Sequence, residues 1–123
     1  MNPILVIDDS DMMRKIILRH LAQAGIAAPT LEAADGAEAL ALLRERTPAL
    51  ILCDINMPNM SGLALLTRIR EDQLVPNVPV IMITTENGEA HVRQAIALGA
   101  RGYIAKPFTV DGLRSAVAPF LSA

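Results

Sequence analysis

A chain of 123 residues is about one domain's worth and long enough to bury a core. Hydrophobic residues make up 52%, charged residues 20%, and the formal net charge is −2, so the basic excess of a nucleic-acid or anionic-membrane binder is excluded. A single cysteine excludes an internal disulfide and a Cys-rich metal site, and Tyr103, Phe108 and Phe120 as the sole aromatics leave the core to aliphatic side chains and Met.

The N-terminal stretch MNPILVIDDSD has no basic region before its apolar residues. No apolar run nears the roughly 18 residues that cross a bilayer, so a cytoplasmic chain is expected. ILVI (4–7) predicts a first strand, and it runs directly into Asp8 and Asp9. Met13, Ile16, Ile17, Leu21 and Ala24 then share one helical face. Asp11 precedes that helix and reads as its N-cap. His20 lies close to the apolar stripe and is expected to be partly buried. Neither His20 nor His91 has a Cys or His partner at metal spacing.

APTLEA (28–33) predicts a second, weaker strand, and Asp35-Gly36 a turn into a short helix striped by Ala37, Leu40 and Leu43. LILC (50–53) is a third strand that ends abruptly in Asp54, with Cys53 as a small core residue. Leu65, Leu66 and Ile69 stripe the next helix, VPVIMI (78–83) is the fourth strand, and Thr84 follows it. Val92, Ala95, Ile96 and Gly99 share the face of a fourth helix. GYIA (102–105) is a short fifth strand leading into Lys106, and Leu113, Ala116, Val117 and Phe120 stripe the last helix. Gly112 and Pro119 weaken that helix, and a proline inside a helix costs about 3 kcal/mol, so it is expected to kink or end early.

Alternating strands and helices call for a mostly parallel sheet covered on both faces. The first, third and fourth strands are continuously apolar, as interior strands are, while Pro29, Thr30 and Glu32 mark the second as an edge. The order 2-1-3-4-5 keeps the crossovers right-handed. This is a flavodoxin-like three-layer α/β sandwich, whose crevice lies at the carboxyl ends of strands 1 and 3. Asp8 and Asp9 end strand 1 and Asp54 ends strand 3, while strand 4 runs into Thr84 and strand 5 into Lys106, so each strand beside the crevice delivers a polar group there. Three neighbouring carboxylates raise the cost of ionising one another, and a cation resolves the conflict. Carboxylate oxygens with few other ligands suit Mg²⁺, which keeps waters and binds beside phosphates.

VIDDS, DINMPNMSG, PVIMITTE and GYIAKPF, in that order along essentially the whole chain, resemble response-regulator receiver domains. In layout they are similar to the single-domain chemotaxis regulators of the CheY type. The resemblance implies one receiver domain over residues 1–123, with Asp54 as phosphoacceptor from a histidine kinase. It implies Mg²⁺, or alternatively Mn²⁺, on Asp8, Asp9, Asp54 and the Asn56 backbone carbonyl, with Asp8 acting partly through water. Thr84 and Lys106 would hold the phosphoryl oxygens. Thr84 and Tyr103 would form the switch, Asn56 and Glu86 would tune dephosphorylation, and the Lys106–Pro107 peptide would be cis. Thr85 departs from the family, which tends to carry something smaller there, and would limit the inward turn of Tyr103.

The implied output is a phosphorylation-dependent surface of the fourth helix, fifth strand and fifth helix, which binds a downstream protein such as a flagellar-motor switch. The helix-4 segment EAHVRQAIALG carries little positive charge for such a surface. A phosphatase is a further implied partner, and a monomer without direct nucleic-acid or membrane contact is expected. Such a chain is a switch rather than an enzyme, catalysing only its own phosphorylation and dephosphorylation. Because the chain stops at FLSA, just after the last helix, a stand-alone regulator is expected. Two alternatives stay open: the isolated receiver of a DNA-binding regulator, and a Mg²⁺-dependent phosphatase with an aspartyl nucleophile. The latter family carries two aspartates one residue apart after strand 1, whereas Asp8 and Asp9 are adjacent.

Overall fold

The structure is a computed structural model that describes residues 2–85 and 89–121. Five strands alternate with five helices: β1 (Ile4–Ile7), α1 (Asp11–Gln23), β2 (Thr30–Ala33), α2 (Gly36–Glu45), β3 (Leu50–Asp54), α3 (Gly62–Glu71), β4 (Val80–Thr85), α4 (Glu89–Ala97), β5 (Gly102–Lys106) and α5 (Val110–Leu121). All pair in parallel in the order β2-β1-β3-β4-β5, the flavodoxin-like arrangement expected from the sequence.

The period-two alternation of strands decides which helix each residue meets. Ile4, Val6, Leu50, Leu52, Ile81 and Ile83 face α1 and α5, where Ile17, Leu21, Leu113 and Val117 close the layer. Leu5, Ile7, Ile51, Cys53, Val80 and Met82 face the other way, onto Leu40, Leu43, Leu65, Leu66, Ile69 and Ala95 of α2, α3 and α4. Each such fully buried Leu or Ile contributes about 1.5–3 kcal/mol. That is why β1, β3 and β4 are apolar on both faces, while β2 and β5 at the edges are not.

The expectations for Asp35 and His20 hold, and several others are corrected. The N-cap of α1 is Ser10, whose hydroxyl accepts from Met13 N at 3.2 Å, and Asp11 is the first helical residue. Both types cap well, and Asp11 pairs instead with Arg14. The buried face of α1 runs Arg14, Ile17, Leu21, so Met13 and Ile16 are only half-buried. Asp35 caps α2, accepting from Glu38 N at 2.8 Å. In α4 only Ala95 is buried, and Ile96 of the expected stripe is 54% exposed. The last helix neither ends early nor stops at Pro119 but continues to Leu121. Pro119 lies in the final turn with its ring exposed, so just one backbone bond is lost, to an exposed Ser115. His20 is half-buried, its Nδ1 2.9 Å from the Ile16 carbonyl and its ring edge-on to Phe108.

The turn after β3 is held by a glycine. Gly62 N donates to Ile55 O at 2.9 Å, and Ser61 caps α3 by accepting from Ala64 N at 3.1 Å. A Cβ at position 62 would stand 2.3 Å from the Asp54 carbonyl oxygen and 2.8 Å from Ile55 Cα. Backbone cannot yield as a flexible side chain can. Gly62→Ala is therefore expected to cost about 1–3 kcal/mol, the usual range for overpacking. The loss should appear as a lower denaturant midpoint at unchanged slope.

Candidate functional site

Register brings the polar strand ends to one level. Ile7 pairs with Cys53, Asp54 with Ile83, Thr84 with Ala105 and Thr85 with Lys106. Asp8 thus emerges beside Asp54, Thr84 follows one residue above, and Lys106 reaches back from β5.

One carboxylate oxygen from each of Asp8, Asp9 and Asp54 lies within 4.8 Å of the others. Asp8 and Asp54 are 1% and 3% exposed, while Asp9 is exposed. Lys106 Nζ stands 3.3 Å from Asp54 Oδ2 and 3.7 Å from Asp8 Oδ2. Backbone amides orient the two buried carboxylates: Ser10 N donates to Asp8 Oδ1 at 2.9 Å and Asn56 N to Asp54 Oδ1 at 3.1 Å. The Lys106 ammonium pairs with two of the three carboxyl groups of the cluster, so the cluster is short of positive charge.

Two buried oxygens have no hydrogen-bond partner among the described residues, Asp8 Oδ2 and Thr84 Oγ1. Leaving such groups unpaired costs about 1–3 kcal/mol each, more when charged. Native folds keep such orphans where a ligand satisfies them. A hard divalent cation fits the acidic side of this crevice, since it takes oxygen ligands and tolerates a half-open site. The chemistry of the donor set, all oxygen with no soft or nitrogen ligand, matches Mg²⁺ or Mn²⁺ rather than Zn²⁺.

Burial raises the Asp54 carboxyl above its ordinary 3.8, and the Asp8 charge adds to the rise, while the Asn56 amide and Lys106 oppose it. Burial likewise pushes the Cys53 thiol up, leaving it inert. A carboxyl whose folded pKa exceeds its unfolded one contributes stability that is complete below the unfolded value. That contribution is lost as pH rises through the folded value. In chelator, the wild-type chain should therefore lose stability relative to Asp54→Asn as pH climbs from 3.8 through the raised value. Thermal unfolding of both chains across that range measures the divergence, and parallel curves would count against it.

The remaining expected residues sort by position. Asn56 exposes its side chain beside Asp54. Tyr103 is not in the acidic cluster. It is 53% exposed on β5 and lines a cavity of about 340 Å³ together with Thr84, Thr85, Glu89, Val92 and Arg93. The Lys106–Pro107 peptide is cis. Glu86 lies outside the described residues. No helix is long and apolar enough to cross a membrane among the described residues.

Sequence reading passed over Arg14, which is buried and bonded to the Asp8 carbonyl. Its spacing of three and seven from Ile17 and Leu21 is the available signal, because a cation at that phase of an apolar stripe cannot point to solvent.

Comparison with known proteins converges on one family. A family profile described as the response regulator receiver domain matches residues 4–118. The chemotaxis protein CheY1 of Helicobacter pylori is 43% identical over 112 residues, covering 90% of each chain. The chemotaxis protein CheY of Pseudomonas aeruginosa is 37% identical over 114 residues, covering 93% of this chain and 91% of its own. Among solved structures, Vibrio cholerae CheY4 superposes with a TM-score of 0.87 at 31% identity, covering 98% of this chain and 99% of that one. The receiver domain of NtrX from Brucella abortus gives 0.86 at 33% identity, covering 96% and 97%.

Proposed function

This chain belongs to the response regulator receiver family, and from that premise we propose that it is a phosphorylation-operated switch with Asp54 as phosphoacceptor. The observation that carries this reading is the convergence of Asp8, Asp9, Asp54 and Lys106 beside a buried, unpartnered Thr84 hydroxyl. An Asp54 oxygen attacks phosphorus, forming a P–O bond as the P–N bond of a donor phosphohistidine breaks. The electron pair leaves with the imidazole nitrogen, and the product is an acyl phosphate. Phosphoryl transfer asks mainly for positioning and for cancelled charge on the equatorial oxygens.

Asp8, Asp9, Asp54 and the Asn56 carbonyl would hold Mg²⁺, which when bound would offset carboxylate and phosphoryl charge. The Lys106 ammonium takes one phosphoryl oxygen, and the Thr84 hydroxyl donates to another. The Asn56 and Glu86 side chains tune the attack of water that ends the signal. The only chemistry such a chain performs is on itself.

Output follows from the Thr84–Tyr103 side. When Thr84 moves to the phosphoryl group, the Tyr103 ring turns toward the cavity beside it, as far as the Thr85 side chain in its lining allows. That shifts a two-state surface of α4, β5 and α5 toward its binding form. The names of the relatives support chemotaxis as the pathway; the family resemblance suggests a histidine kinase as donor and a flagellar-motor component as receiver of the signal. Mg²⁺-dependent uptake of a phosphoryl group from acetyl phosphate, followed by intact mass, tests the acceptor role. Tyr103→Ala tests the output. It should leave phosphoryl uptake within about twofold and weaken binding of the phosphorylated form to its partner about tenfold or more, in the range of a lost interface aromatic. Unchanged binding would remove Tyr103 from the switch.

A further inference from the structure

Arg14 is 8% exposed, an unusual place for a cation. Its guanidinium reaches the end of β1, the edge strand β2 and the first turn of its own helix. Nη1 donates to the Asp8 carbonyl oxygen at 2.5 Å, Nε to Glu32 Oε1 at 3.0 Å, and Nη2 to Asp11 Oδ1. The Asp8 amide, for its part, donates to Ala33 O at 3.1 Å. The backbone of Asp8 is thereby fastened at both its N–H and its C=O.

The consequence falls on Asp9. Its carboxylate is exposed and has no hydrogen bond or ion pair among the described residues, so only its backbone can place it. The Asp8–Asp9 peptide is planar, and holding the Asp8 carbonyl fixes the plane from which Asp9 departs. The positive charge of Arg14 is matched by Asp11 and Glu32, which leaves little field to repel a cation. We propose that Arg14 is a positioning residue for the divalent-cation site, locking the Asp8–Asp9 peptide so that Asp9 is aimed before the cation arrives. This rests on the Mg²⁺ reading above. Three acceptors in fixed directions require the planar fork of arginine, and a lysine ammonium cannot serve them together.

Calorimetric titration with Mg²⁺ of the whole chain tests the proposal, using wild type, Arg14→Lys and Asp9→Asn. Outer partners of metal ligands typically set affinity by about 10- to 100-fold. Arg14→Lys should accordingly raise the Mg²⁺ dissociation constant by about tenfold or more. Its phosphorylation rate from acetyl phosphate at saturating Mg²⁺ should stay within about twofold of wild type, a split that general damage to the fold would not produce. An Arg14→Lys constant within about twofold of wild type, or a tighter one, would overturn the proposal. So would a saturating rate that falls as far as the affinity. If Arg14→Lys does not fold, Glu32→Ala removes one anchor at the edge strand and should still weaken Mg²⁺ severalfold, with no change in affinity as the contrary result. Wild type and Asp9→Asn both failing to bind Mg²⁺ would bring down the cation site itself, and this proposal with it.

Discussion

Asp54→Ala is expected to take up no phosphoryl group from acetyl phosphate under conditions where the wild-type chain gains one. The carboxylate sits at the end of an apolar strand, 3% exposed, with one oxygen held by the Asn56 amide and the other facing Lys106 at 3.3 Å. Among the described residues no other carboxylate is placed this way: Asp8 is as buried but lacks a donor on Oδ2, and Asp9 is exposed. Losing an attacking group removes the covalent route altogether, so the expected effect is total rather than graded. The same change should stabilise the metal-free chain near neutral pH, because it removes a carboxylate that burial disfavours. Relief of such active-site conflict is commonly worth about 0.5–2 kcal/mol. Intact mass and thermal unfolding in chelator read the two effects independently. A residual increment on Asp54→Ala would place the acceptor elsewhere.

Lys106→Met is expected to slow phosphoryl uptake by roughly 10²–10³-fold, the usual cost of removing one charged donor from a site of developing negative charge. Lys106 Nζ is the cation that reaches both Asp8 and Asp54 among the described residues, so nothing nearby replaces it. Methionine keeps the length and apolar stem, which confines the change to charge. The metal-free variant should also unfold more readily, since breaking a buried pair strands its partner. Saturating Mg²⁺ should restore much of that stability but not the rate, because a cation held by the carboxylates would not replace the ammonium on its own side of the transferred group. Time courses of the mass increment at saturating Mg²⁺ measure the loss, and a rate within twofold of wild type would exclude Lys106 from the phosphoryl clamp.

The sheet and its crevice were legible because they depend on composition along whole segments. ILVI, LILC and VPVIMI read as interior strands whichever neighbour they meet, and Pro29 with Glu32 marked an edge. The acidic cluster was legible for a related reason: topology places strand ends together, so Asp8, Asp54 and Lys106 needed only to follow their strands. What depends on a single residue's phase was not. Ser10 and Asp11 are both good caps one position apart, and the Arg14 contact with Asp11 breaks the tie. Arg14 itself reads as a surface cation until the fold supplies three acceptors for it. Ile96 fits a helical stripe, yet the α4 face that meets the core is narrow enough to bury only Ala95. Pro119 carries a penalty that depends on the distance to the helix end, and in a last turn that distance is short.

Every role proposed for the crevice depends on Asp54 accepting a phosphoryl group in a reaction that needs a divalent cation. Peptide mapping of the wild-type chain after incubation with acetyl phosphate and Mg²⁺ tests it most directly. A single increment is expected, on the peptide that contains Asp54, present with Mg²⁺ and absent in chelator. An increment on any other peptide, or one that forms equally well in chelator, would contradict it.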